Sequence, residues 1–179
     1  MRRLSLMIVP ACVLIAASAD AQQFMDGTAA RFPTQTDYSN QLSFCDVDND
    51  GDLDIAFADG QGYSSAGAAL RAKLYINDGD GHFTDESTAR IPTIGWYRGV
   101  EFGDVDRDGD QDMVLANDFY RTPVLLINDG NGFFDYDFSR LPSQRLSSAR
   151  GQFADVDDDG DLDIAFCHSG TSSRFGSNG

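Results

Sequence analysis

DVDNDGDLD, at Asp46 to Asp54, returns as DVDRDGDQD at Asp104 to Asp112 and again as DVDDDGDLD at Asp155 to Asp163. Each nonamer sets a carboxylate at alternate positions and turns on one glycine. Alternating hard oxygens on a tight loop suit a cation that takes about six to eight oxygen ligands, which points to calcium. The residues after each loop decide its class. An EF-hand needs a bidentate Glu at position 12 and then a helix. That position holds Phe57, Leu115 and Phe166, inside the runs IAFAD, MVLAN and IAFCH. Short apolar runs rich in β-branched and aromatic residues predict strands. The loop must therefore close on itself, with side-chain ligands from positions 1, 3, 5 and 9 and the carbonyl of position 7.

A second signature lengthens the unit. LYINDGDGHF (Leu74 to Phe83) and LLINDGNGFF (Leu125 to Phe134) each place Asn-Asp-Gly between apolar segments, a strong hairpin signal. Asp104 to Asp155, Ile76 to Ile127 and Phe83 to Phe134 are all 51 residues apart. Asp46 to Asp104 is 58, with the surplus in the Gly/Ser stretch Gln61 to Gly67, where a surface loop tolerates insertion. A period of this length means a propeller or solenoid. Within one unit, strands are expected at Val100 to Asp104, Met113 to Ala116, Val124 to Ile127 and Phe133 to Phe138. Four short antiparallel strands per repeat compose a propeller blade.

The expected chain is thus all-β, a partial β-propeller of four-stranded antiparallel blades with calcium loops between strands one and two. Repeat one spans 38–90, repeat two 96–141 and a partial repeat three 147–179. QFMDGTAARFPT (Gln23 to Thr34) resembles HFTDESTARIPT (His82 to Thr93) position for position, so 23–34 is expected as an orphan fourth strand. Together these make about two and a half blades against the four to eight of a ring. A truncated chain is expected, completed by missing blades or by self-association through open strand edges.

GVEFGDVDRDGDQDMVLAND (Gly99 to Asp118) together with LLINDGNGFF resembles the FG-GAP/VCBS repeats of integrin alpha-subunit N-terminal-like β-propellers of bacterial type. The resemblance covers roughly Phe24 to His168. It implies about three Ca²⁺ sites. Asp46, Asp48, Asp50 and Asp54 would be the side-chain ligands of the first, with Asp52 through its carbonyl. Asp104, Asp106, Asp108 and Asp112, with Asp110, would form the second. Asp155, Asp157, Asp159 and Asp163, with Asp161, would form the third.

Met1 to Ala21 carries Arg2 and Arg3, an apolar stretch and an Ala19-Asp20-Ala21 cleavage signature. Residues 1–21 therefore read as a cleavable signal peptide, and the protein as secreted, periplasmic or on the cell surface. Cleavage moves the formal charge from −16 to −17, 11 basic residues against 28 acidic. That excess argues against nucleic-acid or anionic-membrane partners and against membrane insertion. Cys45 and Cys167 occupy different repeat positions, and two buried free thiols are expected rather than a mutual disulfide.

Catalysis finds little in this sequence. His82 and His168 are the only histidines, and no nucleophile or zinc spacing surrounds them. Binding finds more. In propellers of this type, the loops opposite the calcium loops form a shared face, and here they carry Trp96, Tyr97, Arg98, Tyr38, Tyr63, Phe119, Tyr120, Arg121 and Arg145. Exposed aromatic and arginine side chains anchor sugars and proteins; the competing reading is that some of these rings pack between blades. Trp96, Tyr97, Arg98 and Tyr120 are the candidate ligand-binding residues. The expected function is a secreted or cell-surface, calcium-stabilised binding or adhesion module for protein or carbohydrate, without catalysis. The alternative is a non-catalytic structural propeller portion of a larger secreted enzyme.

Overall fold

Asp and Gly at the loops and β-branched or aromatic runs between them give strands that double back in sequence order. The computed structural model describes residues 25–168 apart from Gln35 and Tyr63. The first sheet has the order β1 (Ser39–Cys45), β2 (Asp54–Asp59), β3 (Lys73–Asn77) and β4 (Phe83–Asp85). The second repeats it as β5 (Tyr97–Gly103), β6 (Asp112–Asn117), β7 (Val124–Asn128) and β8 (Phe134–Asp137). A third sheet contains β9 (Ser148–Ala154) and β10 (Asp163–His168). Every pairing is antiparallel. The architecture is all-β and that of a partial β-propeller. Residues 1–21, expected as a signal peptide, and residues 169–179, expected in repeat three, lie outside the described residues.

The first strands β1, β5 and β9 pack side by side, so the sheets fan out from them. Between the first two sheets, β2 turns Ala56 and Ala58 inward beside Cys45, Val47 and Leu74. They meet Val100, Met113, Leu115 and Leu126 of the second sheet. Leu74, Met113, Leu115 and Leu126 are wholly inaccessible, and each such side chain stabilises by about 1.5–3 kcal/mol. The small alanines and Gly60 let the sheets close up. A Cβ on Gly60 would sit 2.6 Å from the Tyr97 backbone nitrogen, so only glycine fits there.

The segment 23–34 departs from its expected strand. Gln23 and Phe24 lie outside the described residues, and Thr28–Arg31 forms a single helical turn, α1. Its counterpart in repeat one explains why. In His82 to Thr93 only Phe83–Asp85 joins the sheet, and Ser87–Arg90 turns into α2. Asp85 accepts from the Ser87 amide at 3.0 Å, and the Ser87 hydroxyl accepts from the Leu74 amide at 2.9 Å. The polar bonds that bend this segment override its strand-like start. Phe32, just after α1, stacks on Phe83 at 4.5 Å.

All three first strands carry an irregularity at the same place: between Ser39 and Gln41, between Tyr97 and Gly99, and opposite Cys167 and His168 in β9. A bulge re-aims the extra side chain. In β5 that side chain is Arg98, which turns back onto the first sheet. The cysteines divide. Both thiols are free, but Cys45 is buried and Cys167 is exposed, which corrects the expectation of two buried thiols. Burial, with Asp46 and Asp54 nearby, pushes the Cys45 thiol up to about 12, so it stays protonated and inert.

Candidate metal centre

The three aspartate loops share one backbone design. Position 4 is left-handed in each, with Asn49, Arg107 and Asp158 at φ of 60°, 64° and 60°. Position 6 is Gly51, Gly109 or Gly160, at φ of 96°, 100° and 87°, where a side chain would be strained. The position 1 carboxylate then faces amides across the loop. Asp46 accepts from Gly51 at 2.9 Å, Asp104 from Gly109 at 3.1 Å and Asp155 from Gly160 at 2.9 Å. Position 5 accepts from the position 7 amide at 2.9, 3.0 and 2.8 Å. Backbone donors thus aim the carboxylates at one another despite their repulsion.

The convergence is close. Oxygens of Asp46, Asp48 and Asp50 lie within 4.8 Å of one another, as do those of Asp104, Asp106 and Asp108, and those of Asp155, Asp157 and Asp163. Asp159 falls outside the third group. Position 9 differs between loops. In the first two, Asp54 and Asp112 lie outside the triads, and each holds two amides: Val47 and Asn77 at 3.0 and 2.8 Å, Val105 and Asn128 at 2.9 and 2.9 Å. These bonds tie the loop to the following hairpin. Burial pushes the Asp112 carboxyl up to about 6, the amides of Asn128 and Val105 opposing it and Asp106 and Asp108 adding to it. Burial likewise raises Asp54 and Asp48.

The residues fit a hard dication. Only oxygen donors converge, which suits calcium or magnesium rather than a thiolate- or imidazole-seeking metal. Asp48 Oδ1 and Asp106 Oδ1 are buried without any hydrogen-bond partner, a cost that an ion between the carboxylates would remove. The side chains of position 7 stand outside the triads. Asp110 instead accepts from Asn49 Nδ2 at 2.8 Å, and Asp161 pairs with Arg107. Position 4 of one loop thereby grips position 7 of the next.

Loops, strands and hairpins recur as one unit, and a family profile described as the FG-GAP-like repeat matches residues 46–115 and 104–166. The chain belongs to the FG-GAP repeat family. A search of curated proteins gave no match. FG-GAP repeats are found in adhesion and binding modules, and FG-GAP repeat domains are usually non-catalytic.

Two arginines at the FG-GAP loops escape a reading of the loops alone. Arg90, at the end of α2, lies 3.4 Å from Asp48 Oδ2 and also donates to the Asn131 carbonyl of the next repeat. Arg140 lies 3.6 Å from Asp106 Oδ2. Arg31 donates to the Asp80 and Gly81 carbonyls at 3.0 and 3.1 Å, the same turn that Arg90 reaches one repeat later. The signal was the arginine shared by TAAR and STAR. Arg90 and Arg140 each offset a loop carboxylate, and Arg31 and Arg90 fasten neighbouring segments.

At the other end of the strands, the candidate ligand residues separate. Tyr97 is wholly buried and Arg98 is 6% exposed, because β5 starts before the apolar run that marked it and carries both into the sheet. They leave the exposed face. Trp96 stays half-buried at the surface, 6.4 Å from the Phe119 ring, with the Arg121 guanidinium 5.1 Å above its own ring. Tyr120 is exposed. Tyr38 is exposed too, and Tyr63 lies outside the described residues. Phe119 and Tyr120 are consecutively left-handed, at φ of 54° and 58°, a strained state for bulky residues. Asp118 accepts from the Phe119 amide at 2.7 Å and Ser147 Oγ from the Tyr120 amide at 3.0 Å, which holds the strain.

Asp59 stands out among the remaining acids. It is 1% exposed, and its Oδ1 has no hydrogen-bond partner. Burial raises its carboxyl to about 6, with Ser39 and Lys73 opposing the rise and Asp37 and Asp85 adding to it. A carboxyl raised on folding binds its proton more tightly in the native state. Its stabilising contribution is therefore present below the unfolded value of about 3.8 and lost as pH climbs to about 6. The equivalent residue in repeat two is Asn117, which accepts from the Trp96 amide and donates to the Thr122 carbonyl. Asp59→Asn is expected to stabilise by about 1–3 kcal/mol at pH 7 and by little near pH 3.5. Calorimetric melts of both proteins at the two pH values check this, and an unchanged or lower melting temperature at pH 7 contradicts it.

Proposed function

We propose that the chain is a secreted or cell-surface binding and adhesion module, stabilised by calcium at about three loops and recognising protein or glycan without catalysis. Asp46, Asp48 and Asp50, Asp104, Asp106 and Asp108, and Asp155, Asp157 and Asp163 would hold the ions, joined by Asp54, Asp112 and Asp159. The carbonyls of Asp52, Asp110 and Asp161 would complete the shells. Calcium when bound supplies charge neutralisation there, and the loops position the sheets. In support, each triad converges on oxygen alone, and two buried carboxylate oxygens lack partners. No helix among the described residues is long and apolar enough to cross a membrane.

Recognition falls to the opposite end of the strands, and the strained Phe119-Tyr120 pair carries that reading. A seven-residue strand puts this end about 20 Å from the acid loops. Backbone strain over-determined by surrounding bonds clusters at ligand sites. Trp96, Phe119 and Tyr120 offer rigid rings there, and Arg121 a charged donor. The test is a glycan and protein array probed with the chain in calcium, beside Trp96→Ala and Tyr120→Ala. Hits that weaken about tenfold or more in both variants are expected; an array on which the wild type binds no better than the variants contradicts the aromatic site.

A further inference from the structure

The first sheet has a face turned away from the second, and a pocket of about 260 Å³ opens on it. Phe32, Phe57 and Tyr75 form its walls, with Asp37 and Ser39 at one side. Phe32 and Phe57 each stand nearly perpendicular to Tyr75, at 79° and 90°, with centroids 5.7 Å away. Rings set this way build a box rather than a stack. The Tyr75 hydroxyl donates to Asp37 at 3.3 Å, which keeps a carboxylate beside the rings. Behind Ser39, its cross-strand partner Asp59 is buried with one oxygen unpartnered.

The charge around this box is lopsided. Asp37, Asp59 and Asp85 lie, among the described residues, around Lys73, whose ammonium is 2.9 Å from Asp85 and 3.6 Å from Asp37 and does not line the pocket. Repeat two has none of this. The positions of Phe57, Tyr75 and Asp59 are filled there by Leu115, Leu126 and Asn117, and the two leucines are wholly buried. Repeat one carries aromatic rings and an acid where repeat two, covered by the first sheet, carries two core leucines and an amide. A buried acid such as Asp59, with an oxygen that has no hydrogen-bond partner, marks the neighbourhood of this pocket as a candidate functional site.

We propose that this pocket binds a small organic cation, an alkyl- or quaternary ammonium group, held by the rings of Phe32, Phe57 and Tyr75 and neutralised by Asp37 with Asp59 behind it. Aromatic boxes attract such cations through the negative faces of their rings. A hard metal ion is a poor occupant, since one carboxylate among apolar walls falls far short of its oxygen requirement. The volume lies below the range of about 300–1,000 Å³ typical of drug-sized ligands, so a compact headgroup fits best. The site involves none of the three acid loops, and its failure would leave the calcium reading intact.

The whole chain, saturated with calcium, is titrated calorimetrically with choline chloride, with tetramethylammonium chloride and with 3,3-dimethylbutan-1-ol, the uncharged isostere of choline. Both cations are expected to bind once per chain, and the alcohol about tenfold or more weaker. Asp37→Asn weakens choline by a similar factor, and Phe57→Leu and Tyr75→Leu, which copy repeat two, remove binding while circular dichroism and calcium uptake stay unchanged. Equal affinity for the alcohol, full affinity in Asp37→Asn and in whichever leucine variant folds, or no saturable binding of either cation overturns the proposal.

Discussion

Excess EDTA is expected to lower the melting temperature of this chain by about 10 °C, and added calcium to restore it. Three carboxylates converging in each loop make three like-charge pairs, each worth about 1 kcal/mol at 4 Å even with water-like screening. Extracellular calcium modules bind at about 10⁻⁴–10⁻³ M, so calcium at ten times the dissociation constant stabilises by about 1.4 kcal/mol per site. Three loops then contribute about 4 kcal/mol. For a domain of this size each kcal/mol moves the midpoint by about 2–4 °C. The loops do not relax independently, because Asn49 holds Asp110 and Arg107 holds Asp161 across the sheets. Arg90 and Arg140 soften the loss by shielding Asp48 and Asp106. A melt recorded with EDTA that superimposes on the melt with calcium contradicts the expectation.

Replacing Arg98 with methionine costs about 3–5 kcal/mol, the largest single-residue effect expected outside the acid loops. The guanidinium bridges two sheets. It donates to Asp118 at 3.0 Å, to Asn40 at 3.0 Å and to the Gly60 carbonyl at 2.7 Å, and it also reaches Gly62. Its side chain and that of Asp118 are 5% and 4% exposed. Methionine keeps much of the volume but takes the guanidinium away from the buried Asp118 carboxylate. The double variant with Asp118→Asn is expected to recover part of the loss, since it removes the carboxylate charge. Denaturant unfolding of the two single variants and the double resolves the coupling. A loss below about 1 kcal/mol would mean that water reaches the site and the pair is a surface contact.

The repeats, loops and hairpins were legible because each rests on local chemistry. Asn77 Oδ1 accepts from the Gly79 and Gly81 amides at 3.2 and 3.1 Å, which is the turn that Asn-Asp-Gly spells. Strands β6 and β7 fall within one residue of their apolar runs. What was hidden depends on neighbours far along the chain. Tyr97 and Arg98 look like loop residues until the bulge between Tyr97 and Gly99 turns Arg98 onto Asn40 and Gly60, 58 and 38 residues away. The similarity of 23–34 to 82–93 identified an equivalent segment correctly and its conformation wrongly, since most of that segment is a helical turn and its flanks in both copies. Within the acid loops, spacing alone weights positions 1, 3, 5 and 9 alike. The amides of Asn77 and Asn128 distinguish them, by engaging the position 9 carboxylates of the first two loops.

The most direct test of calcium binding at the acid loops is an isothermal titration of calcium into the chelator-stripped chain, with Asp48→Asn and Asp106→Asn beside it. The account predicts saturable uptake of about three ions per chain with dissociation constants of about 10⁻⁴–10⁻³ M, and one site fewer in each variant. No saturable uptake by the folded wild-type chain would contradict it.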